Sequence, residues 1–390
     1  MAIKHVLANH ILIIELPSKI DTTNAQEVEA ELLEILDEYP HDKLTLNAEH
    51  TTFISSMGLR VILKLKKIDD DMEIIDVKPE VYDVFEMTGF TDMIDIKKAY
   101  RVVSIEGKKL IGQGFYGKVY RLSPDTIVKV YYRGGDGSDV LAERRLAKKA
   151  FVSGIPTAIS YDIVRVKEGN FLGSVFELLD SEEMVELIKK DPDNLEHYID
   201  QYADLIKAIN TSKSHDLDDV RLQAKEWLRL IKESKWLDDD FYNKIETLVN
   251  TIPESDNMVH GDCHVKNILM QNNEPLLIDM ATLARGHQIF EIAPILCTYK
   301  LYEATEPGNC ESFLGISAET SAKLYDGLLD RIYKDRTPEE RKDIDDKILF
   351  LACVILLSRT VVYYAEGGER KNFLIKNLKE LSEKLTDLNY

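Results

Sequence analysis

"MVHGDCHVKNILM", residues 258–270, is the stretch whose reading decides this chain. His260, Asp262, His264, Lys266 and Asn267 stand among apolar residues, and "LLIDMA" (276–281) follows with Asp279 at the end of a second apolar run. Charged groups in such a setting are rarely there for packing. Their oxygen atoms suit phosphoryl transfer. That chemistry needs a carboxylate to orient or deprotonate an attacking hydroxyl, and hard oxygen ligands to hold Mg2+ against phosphates. Asp262 offers the carboxylate, and Asn267 and Asp279 offer the metal ligands. Lys266 either neutralises phosphate or faces solvent. Zinc is the competing reading, because His260, Cys263 and His264 also lie here. A metalloprotease helix needs H-E-x-x-H, however, and this segment reads H-G-D-C-H with a helix-disfavouring Gly261. His260 and His264 are better read as hydrogen-bonding residues that hold a loop.

Upstream, Gly112, Gly114 and Gly117 form G-x-G-x-x-G in "IGQGFYGKVYRL". Alone this pattern could open a dinucleotide-binding βαβ unit or be a simple turn. A dinucleotide site expects a helix directly after the glycines. Here "KVYRL" and "DTIVKVYY" follow, which read as a hairpin. A glycine hairpin lets backbone N–H groups approach ATP phosphates. Lys129 sits between valines on the second of these strands, where an ammonium needs an anion. Its alternative is a surface lysine at a strand edge. Glu143, in "LAERRLA", is placed to pair with Lys129 or simply to lie on a solvated helix face.

The chain has 390 residues, which predicts two or three domains. It is 44% hydrophobic and 30% charged, an ordinary globular balance. Its net charge of −20, from 69 acidic and 49 basic residues, argues against a nucleic-acid binder. Cys263, Cys297, Cys310 and Cys353 make no C-x-x-C pair, so neither a disulfide framework nor a thiolate metal site is expected, and a cytoplasmic setting fits. The start, "MAIKHVLANH", lacks a signal-peptide core. The most apolar run, "ILFLACVILL" (348–357), is too short for a membrane span of about 20 residues and reads as a buried helix.

Three patterns follow one another. Residues 1–97 alternate strands ("HILIIEL", "KLTLNA", "MEIIDV") with helices ("SSMGLRVILKLKK", "PEVYDVFEMTGF"). A further helix carries Val28, Leu32, Ile35, Leu36 and Tyr39, with Asp21, Thr22 and Thr23 offering its start. This predicts an α/β domain with a mainly parallel sheet. Residues 105–179 are strand-rich, interrupted by the helix "SDVLAERRLAKKAFVSG" with Ser138 or Asp139 as cap and Gly154 as stop. Residues 180–390 are mostly helical, with "NILM" and "PLLID" as a short hairpin between helices.

Taken together, "HGDCHVKNILM…LLIDMA" resembles the motifs of the aminoglycoside phosphotransferase and choline kinase branch of the protein-kinase-like fold. The resemblance covers about residues 105–390 and implies a β-rich first lobe and a helical second lobe. It implies Asp262 as catalytic base, Asn267 and Asp279 as magnesium ligands, and the three glycines with Lys129 and Glu143 as the nucleotide site. "FELL", Phe176–Leu179, is similar to the family's hinge, whose backbone, at Glu177 and Leu179, would meet adenine. Glu291 stands where the family often has Asp before a small apolar run.

The first hundred residues resemble a STAS domain, the fold of anti-sigma-factor antagonists, on "TFISSMGLRVILKLKK" and "VYDVFEMTGFTDMIDI". Ser56 matches the serine that a partner kinase phosphorylates in that family, although the preceding Asp is replaced by Ser55. The plainer reading is that Ser55 or Ser56 only caps the helix. The expected function is an ATP- and Mg2+-dependent transfer to a hydroxyl of a small molecule, with the STAS domain regulating, docking a protein partner or forming a homodimer. The alternatives are a serine protein kinase acting on Ser56 or a partner, and a non-catalytic nucleotide sensor.

Overall fold

The computed structural model describes residues 3–8, 10–114, 117–132, 138–169, 171–364 and 367–390. Phe115 and Tyr116 of the glycine segment lie outside the described residues, as does the Ser138 side chain. Two compact units result: residues 1–106 with 163–172, and residues 107–162 with 173–390.

The first unit is an α/β layer. Its sheet runs in the order His5–Ala8, Ile11–Glu15, Lys43–Asn47, Glu73–Val77, Asp95–Lys98. The first pair is antiparallel and the others are parallel. Alternate residues Leu12, Ile14, Leu44, Leu46 and Ile74 are fully buried, against Leu32 of helix Ala25–Glu38, Ile62 of helix Ser56–Ile68 and Phe85 of helix Pro79–Met87. The first helix begins later than Asp21–Thr23, because the Asp21 carboxylate accepts the N–H and hydroxyl of Thr23 and holds a turn of its own. Ser55 caps the second helix, accepting N–H bonds from Met57 and Gly58 at 3.2 and 3.4 Å. Ser56 is exposed in its first turn. Strand Asp162–Val166 pairs in parallel with Arg101–Val103, and Ile105 N–H donates to Glu168 at 2.9 Å, which ties residues 163–172 to this unit.

The second unit opens with antiparallel strands. Leu110–Gln113 pairs with Gly117–Arg121, that with Thr126–Tyr131, and that with Gly173–Glu177. Helix Ser138–Val152 follows the third strand and stops before Gly154, whose φ of +85° suits glycine. Beyond lie helices Leu195–Thr211, Arg221–Ser234, Asp239–Val249, Ala318–Ile332, Pro338–Tyr363 and Gly368–Lys384 around one apolar core. The run Phe350–Leu357 lies at 0% exposure inside Pro338–Tyr363. That helix starts at a capping box, in which Thr337 and Glu340 satisfy each other's backbone N–H. Among the described residues, no helix is long and apolar enough to cross a membrane.

Candidate functional site

A two-strand hairpin, Ile268–Gln271 and Glu274–Leu277, turns at Asn272 and Asn273, both at positive φ. It fixes the two ends of the polar segment. Asn267 enters the first strand, and Asp279 leaves the second at φ +65°, a conformation that aspartate tolerates better than most residues. The hairpin is held to the strand-rich part by Thr157, whose hydroxyl donates to Leu277 O at 2.8 Å, and by Leu277 N–H on Pro156 O at 2.8 Å.

Lys129 bridges these parts. Its ammonium lies 2.8 Å from Glu143 Oε1 and 3.1 Å from Asp279 Oδ1. Burial disfavours its charge, but Tyr131, Glu143 and Asp279 outweigh that and hold it above the ordinary lysine value. The expected Lys129–Glu143 pair is thus present, and Asp279 joins it from 150 residues away. The glycine hairpin packs on the same strand. A Cβ on Gly117 would stand 2.2 Å from Val130 O, so only glycine lets the two strands approach this closely. At Gly112 and Gly114 a Cβ would find ordinary contact and open space. Gly114 N–H donates to Gly117 O at 2.9 Å and closes the described part of the turn.

Asp262 sits in a loop pinned from several sides. Gly261 precedes it at φ +76°. Asn267 Nδ2 donates to Asp262 O at 2.9 Å and lies 3.4 Å from its carboxylate, and among the described residues Asn267 Oδ1 accepts no hydrogen bond. The Asp262 side chain is 43% exposed, yet it is enclosed enough that burial raises its pKa, opposed by the nearby His260 and Arg359. His260 is fully buried and disfavoured from protonating by that burial; its Nδ1 accepts Asp262 N–H at 3.3 Å. Burial pushes His264 down to about 4, so it is neutral near pH 7 and its 3.8 Å approach to Asp262 is no ion pair. Lys266 points away, donating to Phe313 O at 3.1 Å.

Glu291 ties down the start of this loop. Fully buried, its Oε2 accepts the backbone N–H of His260 at 2.5 Å and of Gly261 at 3.4 Å. Thr282 donates to His260 O at 2.6 Å, and the Tyr299 hydroxyl accepts Val265 N–H at 3.0 Å. Sequence reading missed Thr282, Tyr299 and Arg359. The first two carry no sequence signal, whereas a lone Arg359 beyond an apolar run did.

At the end of strand Phe171–Glu177, Leu178 N–H donates to Asp125 O at 2.8 Å. Glu177 closes that strand opposite Thr126, and Leu179 lies two residues beyond it. The arrangement brings together Lys129, Glu143 and Asp279, and separately Asp262 with Asn267, His260 and His264. Ser56 belongs to the other unit.

The phosphotransferase enzyme family profile matches residues 109–314, and the STAS domain profile matches residues 3–103. A Bordetella bronchiseptica protein named as an anti-sigma factor antagonist, BtrV, is 31% identical over 90 residues, covering 22% of this chain and 77% of that protein. Among solved structures, a thermostable mutant of aminoglycoside phosphotransferase APH(4)-Ia superposes with a TM-score of 0.48 at 12% identity, over 71% of this chain and 94% of that one. A choline/ethanolamine kinase family protein from Mesorhizobium loti does so with 0.44 at 9%, over 72% and 88%. By its sequence this chain belongs to the phosphotransferase enzyme family and carries a STAS domain, similar to anti-sigma factor antagonists, at its amino end.

Proposed function

We propose that the chain moves the γ-phosphoryl group of ATP to a hydroxyl of a small molecule, in a cytoplasmic setting, with Mg2+ as its metal. The observation that carries this is the Lys129 bridge between Glu143 and Asp279, which sets an ammonium beside a half-open carboxylate. The donor set fits Mg2+, which takes few protein oxygens and leaves its other positions to phosphates and water. Asn267 Oδ1 and the Asp279 oxygen that Lys129 does not hold are such donors. Among the described residues, no three His, Cys, Asp or Glu side chains cluster to hold a metal by themselves. When bound, the ion would neutralise charge on the β- and γ-phosphates.

Lys129, held by Glu143, is placed to meet phosphate oxygens, and the glycine hairpin offers backbone N–H groups to them. The Glu177 C=O and Leu179 N–H are the edge on which adenine would be held. Asp262 orients the acceptor hydroxyl and takes its proton as the O–P bond forms and the bond to the β-phosphate oxygen breaks, leaving ADP. His260, kept neutral by burial, holds the loop by accepting the Asp262 N–H, and neutral His264 does not compete for that proton. The test is calorimetric binding of Mg-ATP followed by ADP release on panels of sugars, amino alcohols, nucleosides and aminoglycosides. Asp262→Asn should bind nucleotide as before and lose about a hundredfold to ten-thousandfold in turnover. Absence of both binding and turnover in the wild type defeats the proposal.

The STAS domain serves as a docking or regulatory part. Exposed Ser56, beside capping Ser55, is left open to phosphorylation by this chain or by a partner kinase. Phosphate there would add about −2 charge at a helix N-terminus. Intact-mass measurement after incubation with Mg-ATP tests the self-reaction: unmodified Ser56 rejects it.

A further inference from the structure

Arg359 is the one charged residue between Ile348 and Tyr363. Every residue from Phe350 to Ser358 is buried, as is Thr360, and Arg359 between them is half-buried. A guanidinium there costs free energy unless acceptors or an anion meet it. Among the described residues no carboxylate lies within ion-pair distance of Arg359, and its one hydrogen bond runs from Nη1 to Tyr302 Oη at 3.3 Å. Among the described residues, the remaining N–H groups of its fork have no acceptor.

The surroundings show why this is unusual. Arg370 lies 5.4 Å from the ring centre of the same Tyr302 and 4.6 Å from that of Tyr364, but it is neutralised by Glu306 and donates to Thr305 Oγ1 at 3.2 Å. Glu303 is also committed, accepting the N–H groups of Gly308 and Cys310 at 2.7 and 2.8 Å. Glu303 and Glu306 are thus used internally, and among the described residues neither pairs with Arg359. Its field reaches Asp262, where it favours the ionised carboxylate.

We propose that Arg359 determines acceptor specificity, and that the acceptor is a hydroxyl compound carrying an oxyanion, a carboxylate or a phosphate, which the guanidinium fork grips. The inference rests on the phosphotransferase reading of Asp262. A planar fork with free N–H groups matches such an anion in two parallel hydrogen bonds. An ammonium-bearing acceptor would meet repulsion at the same place.

The experiment uses the full chain, Mg-ATP and matched probes: glycerol, glycerate and glycerol 3-phosphate; glucose, gluconate and glucose 6-phosphate; and ethanolamine. ADP release and calorimetric binding in the presence of Mg-ADP are both read. Turnover or binding confined to oxyanion members is expected, and glycerate against glycerol 3-phosphate tells carboxylate from phosphate. Arg359→Met should lower kcat/KM on those members about a hundredfold, mainly through KM, while Mg-ATP affinity stays unchanged. Arg359→Lys, which keeps the charge but loses the fork, should lose about tenfold and so separates recognition from misfolding. Equal use of neutral or amine probes, no oxyanion member bound or turned over, or an unaltered Arg359→Met enzyme overturns the inference. Wild type that fails to bind Mg-ATP defeats instead the phosphotransferase reading beneath it.

Discussion

Replacing Glu291 by glutamine removes a titrating group from the floor of the Asp262 loop while keeping an oxygen for the two N–H groups it receives. Glu291 has no exposed surface, and among the described residues its second oxygen, Oε1, has no hydrogen-bond partner. Burial pushes its carboxyl from the ordinary 4.5 to about 7, against the two backbone N–H groups that favour ionisation. The unfolded chain therefore loses this proton near 4.5, while the folded chain keeps it until about 7. Between these values the unfolded state binds fewer protons, so stability falls as pH rises. The contribution is complete below 4.5 and is lost as pH rises through about 7. At about 1.4 kcal/mol per pH unit this gap amounts to about 3 kcal/mol. Glutamine does not titrate, so Glu291→Gln should gain on the wild type by about 3 kcal/mol between pH 4.5 and 8. Working with the difference cancels titrations common to both proteins, such as those of His260 and His264. Urea unfolding followed by tryptophan fluorescence measures it, because Trp227 and Trp236, the only tryptophans, both lie in the second unit and Trp227 packs 6.3 Å from Phe290. A stability difference that stays flat across this range would refute the reasoning.

Lys129→Met should weaken Mg-ATP binding about tenfold to a hundredfold, through lost charged hydrogen bonds to phosphate, which calorimetry reads directly. Gly117→Ala should cost about 1–3 kcal/mol in urea unfolding, since its new Cβ meets the Val130 carbonyl, whereas Gly114→Ala, with nothing within 4 Å, should change little.

Period and punctuation carried much of the fold. Val28, Leu32 and Ile35 recur on one helical face and are buried together, and the run Phe350–Leu357 could only be interior. The glycine hairpin, the helix with Glu143 and the short hairpin before Asp279 were likewise legible, because turns and strand runs are local. Edge strand His5–Ala8 was not, since Val6 and Leu7 stay exposed and leave no buried alternation. Asn24 rather than Asp21 precedes the first helix because a side-chain turn competed for the same backbone.

In the site, residue types and spacing suggested Asp262, Asn267 and Asp279, while Lys129 and Glu143 had surface alternatives and were singled out together with the family resemblance. Which of them meet was decided by the tertiary structure. Asp279 reaches Lys129 only because Thr157 and Pro156 hold the hairpin against the strand-rich part, and Lys266 turns to Phe313 rather than toward phosphate. Glu291 as the anchor and Arg359 as the unpaired charge likewise emerge from packing between segments far apart in the chain. A sequence fixes local conformation through neighbouring residues, but pairing between distant charges depends on how buried surfaces close around them, and that is settled only when the whole core forms.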